Sequence, residues 1–241
     1  MYITLACAIN EHTLREYRWA DLEQSLVIIK PDGTARRRVS ALVLKALLDR
    51  GYKVAAFQEM KVPESLAEKH YAVHKEKPFF PWLVEFISSA PVIAMILEAE
   101  DVIQGVRDAL GATFVQKASP DSLRGKYGIW AGINIAHASD APETALKEIE
   151  LWTTDGGLEI GESAEEEARK YIEKYGDGSA DYTMAIRNIV KESIANKDTS
   201  RSVLHSLEDL IAKDASGISE ADTDALAKAV FSFIQEEAEK E

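Results

Sequence analysis

The chain has 241 residues, and its 28 Lys and Arg against 41 Asp and Glu give a formal net charge of −13 at pH 7. Hydrophobic residues make up 46% of it, so it can bury a core and is not globally disordered. The acidic balance excludes broad electrostatic binding of DNA or RNA, yet leaves room for a small basic pocket for one nucleotide. Cys7 is the lone cysteine, which excludes an intramolecular disulfide framework and fits a reducing cytoplasm.

No membrane or secretory segment is expected. No apolar run approaches the roughly 20 residues that a bilayer-spanning helix needs. The apolar start at residues 2–9 is short, lacks a positively charged lead and ends at Asn10, so it does not resemble a secretory signal. We interpret it as an added strand within an N-terminal extension of residues 1–23.

The next part of the chain alternates strand and helix signals. Runs of apolar residues predict strands at residues 25–29, 52–62, 92–97 and 127–133. Helical spacing, with Gly and Pro as end signals, predicts helices at residues 39–48, 63–70, 81–87, 101–110 and 142–151. Strands side by side with helices on one face predict an α/β sandwich.

The C-terminal part differs in charge and in pattern. Residues 1–150 hold 20 acidic and 18 basic side chains, whereas residues 151–241 hold 21 acidic and 10 basic. The shift coincides with the glycines at 156, 157 and 161, which places a boundary between about 153 and 163. Apolar residues then recur at helical spacing, and Ser219 begins a capping sequence. We predict an acidic bundle of three or four helices over residues 156–241.

The candidate catalytic residues are a lysine and a histidine, each at a strand end. Lys30 precedes a Pro-Asp-Gly turn, where a lysine beside backbone N–H groups suits a phosphate, although a solvated lysine is the simpler interpretation. Neither a P-loop nor a Rossmann fingerprint is present. His137 is followed by small and polar residues, which suits a nucleophile or base, although a structural hydrogen bond is the alternative. Glu148 lies on the following predicted helix and could orient the ring.

Other candidates are aromatic or basic. Tyr71 and Phe79 flank a helix–turn corner, where an aromatic ring can stack on a base, although core packing is the commoner use of Phe. Arg107 and Arg124 could clamp phosphate oxygens, or could form surface ion pairs that contribute little.

Taken together, the motifs of residues 24–152 resemble the nucleoside diphosphate kinase family. The matching segments are Ile29-Lys-Pro-Asp-Gly33, His70-Tyr71, Lys77-Pro-Phe-Phe80, Ser89-Ala-Pro-Val92, Leu110-Gly-Ala-Thr113, Leu123-Arg-Gly125, Asn134-Ile-Ala-His-Ala-Ser-Asp140 and Lys147-Glu-Ile149. They recur in the family's order, and the set is far more specific than any member. The resemblance implies a ferredoxin-like βαββαβ sandwich, an α/β (α+β) fold with a four-stranded antiparallel sheet, for a domain of residues 24–155.

The resemblance also implies a role for each matching residue. His137 would accept the γ-phosphate of a nucleoside triphosphate and pass it to a nucleoside diphosphate in a ping-pong reaction. Glu148 would hold the other ring nitrogen, and Ser139 would support Glu148. The phosphates and sugar would be surrounded by Lys30, Tyr71, Arg107, Thr113, Arg124 and Asn134. Phe79 would stack on the base, with Leu83 beside it.

The implied cofactor is Mg²⁺, which the nucleotide phosphates would carry without a protein cage. The implied partners are nucleoside di- and triphosphates, with no specific nucleic acid and no membrane, in a cytoplasmic homo-oligomer. The family usually has Gly at the position of Ala138, so this alanine would be strained if the site needed a positive φ. Residues 114–118 also depart from the family's loop, which puts a hexamer in doubt. The alternative function is a non-catalytic nucleotide-binding regulatory or scaffold module on the same fold.

Overall fold

A computed structural model describes residues 22–177 and 181–240. The strand expected at residues 2–9 lies outside these ranges. The described residues form one antiparallel sheet, whose strands are β1 (Glu23–Ile29), β2 (Lys53–Met60), β3 (Val92–Ala99) and β4 (Ala136–Ala138). Their spatial order is β2-β3-β1-β4. This order, with helical crossovers between the strands, confirms the ferredoxin-like arrangement.

Within residues 22–177, seven helices belong to the part of the chain that includes the sheet. They are α1 (Pro31–Thr34), α2 (Arg37–Leu48), α3 (Glu64–His70), α4 (Phe80–Ser89), α5 (Val102–Leu110), α6 (Leu123–Tyr127) and α7 (Pro142–Thr154). Short 3-10 turns lie at Ala72–His74 and Val115–Lys117. The described residues after 160 contain four further helices: α8 (Ala164–Tyr175), α9 (Thr183–Asn196), α10 (Arg201–Ala212) and α11 (Glu220–Glu239).

Both faces of the sheet are buried, whereas the sequence pattern predicted helices on one face. Val27 and Ile29 of β1 pack with α2, α5 and α8 on one side. Leu26 and Ile28 of the same strand pack with α3, α4 and α7 on the other. Because alternate side chains of a strand point to opposite faces, a continuous apolar run such as that of β1 indicates burial on both sides.

The strand predicted at residues 127–133 is wrong. The structure has the end of α6 and a tight turn there, and the fourth strand lies further on, at Ala136–Ala138. The backbone has positive φ at Ala131 (43°) and Ile135 (66°), which turns the chain instead of extending it. Ile129 and Ile133 are buried in a cluster with the C-terminal helices, so their apolar character reflects that packing.

The helices α9, α10 and α11 form the predicted bundle, and α8 lies apart from it on the sheet. Leu207, Leu226 and Ile234 are among the apolar residues that the bundle buries together with Trp82 and Phe86 of α4. Ser219 caps α11, since its side chain accepts a hydrogen bond from the Asp222 backbone N–H, as predicted. The bundle is therefore attached to the sheet-containing part through α4 and through the turn that carries Ile129 and Ile133.

The segment before and within α8 covers the outer edge of the sheet. Ile160 forms an antiparallel bridge with Ala56 of the edge strand β2. Tyr171 of α8 is buried and contacts Arg37 of α2, which also pairs with Glu59 of β2. An exposed edge strand is a template for pairing with another chain, so this cover removes part of that edge.

Candidate active site

The site centres on His137, the middle residue of β4. Antiparallel pairing with Ile28 of the buried strand β1 fixes its backbone. Its Nε2 atom lies 2.9 Å from Glu148 Oε1, and the two side chains are 23% and 13% exposed. Nε2 is buried, although the carboxylate is not aligned with it well enough for a good hydrogen bond. Because Nε2 is covered in this way, Nδ1 is the ring nitrogen left for chemistry.

Glu148 is held by two further features of the fold. Its helix α7 begins with Pro142 at the first turn and packs on the sheet through Ile149 and Trp152. The Ser139 hydroxyl donates a 2.6 Å hydrogen bond to Glu148 Oε2. Ser139 itself is fully buried and accepts a 3.1 Å hydrogen bond from the Leu26 backbone N–H. One carboxylate oxygen therefore faces the histidine while the other is fixed to the sheet.

Lys30 lies beside Asn134 at the end of β1. Its Nζ donates to Asn134 Oδ1 at 2.8 Å and to the Gly132 carbonyl at 3.3 Å. The Asn134 amide then donates to the Thr113 carbonyl at 2.7 Å, which connects three of the predicted site residues. Burial lowers the pKa of Lys30 to about 8; nearby Arg124 adds to this, and Asp32 opposes it.

Arg124 lies on α6 and is fixed by backbone carbonyls. Its two terminal nitrogens donate to Gly111 at 2.9 Å and to Ala136 at 2.8 Å. Burial and the charge of Arg107 lower the pKa of Arg124 to about 10. Arg107 itself is exposed in the last turn of α5. Among the described residues, no carboxylate fully neutralises these like charges, so the site favours an anionic ligand.

The predicted aromatic residues differ in exposure. Tyr71 is buried, its hydroxyl has no partner among the described residues, and burial raises its pKa. Phe79 is 44% exposed and its ring lies 5.6 Å from that of His74. Leu83 follows one helical turn later, with its N–H donating to the Phe79 carbonyl. An exposed ring beside a partly buried leucine offers a flat apolar surface.

The nucleoside diphosphate kinase family model matches residues 23–156, which is more than half of the chain. The chain belongs to the nucleoside diphosphate kinase family. Its similarity to curated relatives is high over this region. It is 45% identical over 137 residues to the nucleoside diphosphate kinase of Trichormus variabilis, covering 57% of this chain and 91% of that protein. It is 45% identical over 131 residues to that of Methanothermobacter thermautotrophicus, covering 54% and 87%.

Solved structures of the family resemble the same part of the chain. The nucleoside diphosphate kinase of Aquifex aeolicus is 36% identical with a TM-score of 0.53, covering 57% of this chain and 99% of that one. The halophilic nucleoside diphosphate kinase of Halobacterium salinarum, solved in complex with CDP, is 38% identical with a TM-score of 0.53. That match covers 61% of this chain and 97% of the halophilic protein.

Two residues of the site region were not among the predicted site residues. The His70 ring lies edge-on to His137 with 4.5 Å between ring centroids. His70 Nδ1 accepts a 3.3 Å hydrogen bond from the Trp152 indole N–H. Burial, together with His137, lowers the pKa of His70 well below its usual value, which disfavours the charged ring. The family's His-Tyr pair at 70–71 was the signal that could have identified it.

Asp32 is a second residue that the motifs did not assign. It is buried, and its Oδ2 accepts a 3.0 Å hydrogen bond from the Ile135 N–H. Ile135 has a positive φ of 66°, which is unusual for a β-branched residue. Asp32 therefore stabilises the turn that separates Asn134 from His137.

The family departure at Ala138 causes no backbone strain. Ala138 pairs with Val27 within β4, and it is not among the described non-glycine residues with positive φ. The alanine therefore occupies an ordinary extended conformation that needs no glycine.

One group of side chains in the described ranges has the composition of a metal site, and it contains the histidine itself. Each of its three residues offers one ligand atom, and these atoms lie within 4.8 Å of one another: the residues are His70, His137 and Glu148. Trp152 already uses the lone pair of His70 Nδ1, and Glu148 already faces His137. These residues therefore do not fit a resident cation.

None of the described helices is long and apolar enough to cross a bilayer.

Proposed function

We propose that the chain is a nucleoside diphosphate kinase that moves the γ-phosphate of a nucleoside triphosphate to a nucleoside diphosphate through a phosphohistidine at His137. The supporting observation is the 2.9 Å approach of His137 Nε2 to the Glu148 carboxylate, which leaves Nδ1 as the nucleophile. Membership of the family supports the same reaction. The cations Lys30 and Arg124 lie in the same site.

Each half-reaction exchanges one bond to phosphorus for another. First, the Nδ1 lone pair attacks the γ-phosphorus, the bond to the β,γ-bridging oxygen breaks, and nucleoside diphosphate leaves with that oxygen. The phosphorylated ring keeps its Nε2–H, whose positive charge Glu148 stabilises. Then a terminal oxygen of another nucleoside diphosphate attacks phosphorus and the nitrogen–phosphorus bond breaks. The ring regains its lone pair, so ping-pong kinetics follow.

The surrounding residues would position the polyphosphate and offset its charge. Lys30, Arg107 and Arg124 supply cationic donors, and phosphoryl transfer depends largely on such positioning and electrostatic stabilisation. Asn134 and Thr113 supply neutral polar groups beside Lys30. The Tyr71 hydroxyl, which has no partner among the described residues, supplies another neutral polar group. We assign these groups to the phosphates and the sugar hydroxyls.

Phe79 and Leu83 would hold the base. Stacking uses the flat face that every base has, so it does not select one hydrogen-bonding pattern. We therefore propose that the enzyme accepts several bases. A divalent cation, Mg²⁺ in our proposal, would enter as part of the nucleotide substrate, because the carboxylate of Glu148 is already committed to His137 and Ser139.

We also propose a cytoplasmic homo-oligomer, as the resemblance implies. Residues around Ile160 and α8 cover the β2 edge of the sheet, so a second copy would meet another surface. Phe114 is 54% exposed and Met184 is 57% exposed, which makes their surroundings candidates. Light scattering on the full chain measures the subunit number directly.

The function is tested by phosphate exchange with GTP as donor and ADP as acceptor. We expect ATP to form in the presence of Mg²⁺, with parallel lines in double-reciprocal plots because the mechanism is ping-pong. Binding of both nucleotides without formation of ATP would instead support the non-catalytic regulatory module.

A further inference from the structure

The loop between Gly111 and Asn134 carries Thr113, Arg124 and Asn134, yet it contains little regular structure. Its elements are one 3-10 turn and the five-residue helix α6. A helix this short leaves its final carbonyls without helical partners, so something else must satisfy them. The loop therefore needs bracing from outside if Arg124 is to keep one orientation.

Arg187 of α9 supplies hydrogen bonds to these carbonyls. Its Nε donates to the Gly128 carbonyl at 2.9 Å, and Nη2 donates to Gly125 at 3.0 Å and to Lys126 at 3.3 Å. Nη2 also contacts the Gly128 carbonyl. An arginine beyond the C-terminus of a helix satisfies orphan carbonyls and interacts favourably with the negative end of the helix dipole. Here that arginine comes from a different part of the chain.

Thr183, one turn earlier on α9, reaches the other side of the same loop. It accepts a 2.5 Å hydrogen bond from Arg36, which also donates to the Tyr127 carbonyl at 2.9 Å and to the Asp32 carbonyl at 2.7 Å. Arg36 and Thr183 are 2% and 1% exposed. Asp32 in turn holds Ile135, the residue with positive φ before the histidine strand. A chain of buried polar contacts thus runs from α9 to the turn beside His137.

We infer that α9 of the C-terminal part holds the loop between Gly111 and Asn134 in place, and that Arg187 is a positioning residue for Arg124. Arg187 acts through the backbone of α6 and does not touch the nucleotide. The inference deepens the proposed kinase function and rests on it. The acidic C-terminal part then contributes to the site, because its packing against this loop sets the affinity for nucleotide.

The test compares Arg187→Met with the matched control Arg169→Met in the full chain. Arg169 is a surface arginine of α8 that pairs with Glu165 and is 63% exposed. Losing several hydrogen bonds to the loop should raise KM for ADP about tenfold in Arg187→Met with a much smaller change in kcat, because Arg124 binds the phosphates in both ground and transition states. Arg187→Lys should recover part of this loss, and Arg169→Met should match the wild type.

Hydrogen exchange distinguishes a local effect of Arg187 on the loop from a general loss of stability. In Arg187→Met the amides of residues 111–134 should exchange faster, while those of β1 and β3 remain as protected as in the wild type. Unchanged KM and unchanged loop exchange in Arg187→Met would overturn the inference. If that variant does not fold, the same comparison with Arg187→Lys decides. An inactive wild type would instead count against the proposed function, so the two failures are distinguishable.

Discussion

Replacement of Glu148 by glutamine removes the negative charge beside His137 while keeping an oxygen that can accept a hydrogen bond. The contact is 2.9 Å long and largely shielded from solvent. Phosphorylation makes the ring cationic, and a charge-assisted contact at this distance contributes about 1.5–3 kcal/mol, against about 1 kcal/mol for a neutral hydrogen bond. The expected loss is therefore about 0.5–2 kcal/mol in the transition state, or about 2- to 30-fold in the rate of phosphoenzyme formation.

Rapid-quench measurement of phosphoenzyme formation from labelled ATP gives this rate directly. Glu150→Gln is the matched control, because Glu150 is exposed on the same helix. The control should react like the wild type, and the dissociation constant for ADP should change little in Glu148→Gln, since Glu148 faces the histidine. A wild-type rate of phosphorylation in Glu148→Gln would refute the idea that this carboxylate stabilises the charged ring.

Two further predictions concern pH and stability. The pKa of Lys30 is lowered to about 8, so this amine loses its charge as the pH rises above about 8, and kcat/KM for nucleoside diphosphate should then fall. Lys30→Arg should flatten that fall, because arginine stays charged. A fall that persists unchanged in Lys30→Arg would point to another group. Trp82 is 5% exposed and donates a 2.9 Å hydrogen bond to the Ala229 carbonyl of α11. Trp82→Phe should lower the free energy of unfolding by about 1–2 kcal/mol in urea titrations, and an unchanged midpoint would argue against this docking contact.

In the strands and helices that the sequence predicted correctly, the spacing of apolar residues within the element is enough to indicate which side is buried. The apolar run of β1 and the helical spacing of α2 carry their own burial signal. Residues 127–133 have an equally apolar pattern, but Ile129 and Ile133 are buried by helices that follow much later in the chain. A local pattern cannot distinguish a strand from a loop whose cover comes from a distant segment.

The same limit applies to the site. The motif spacing indicated which side chains belong together, and the structure places Glu148 beside His137 and Asn134 beside Lys30. The contacts of Arg187 could not be predicted, because no motif relates α9 to the loop that carries Arg124. Such contacts depend on how the bundle docks against α4 and the loop, and docking is a property of tertiary packing.

The identity of the phosphorylated residue tests the proposed mechanism most directly. The wild type incubated with labelled ATP and Mg²⁺ should form an acid-labile phosphoenzyme that peptide mapping assigns to His137 and that added ADP discharges as ATP. His137→Ala should form none and should lose the exchange activity. A phosphoenzyme of wild-type yield in His137→Ala, or a label mapped to another residue, would contradict the assignment of His137 as the nucleophile.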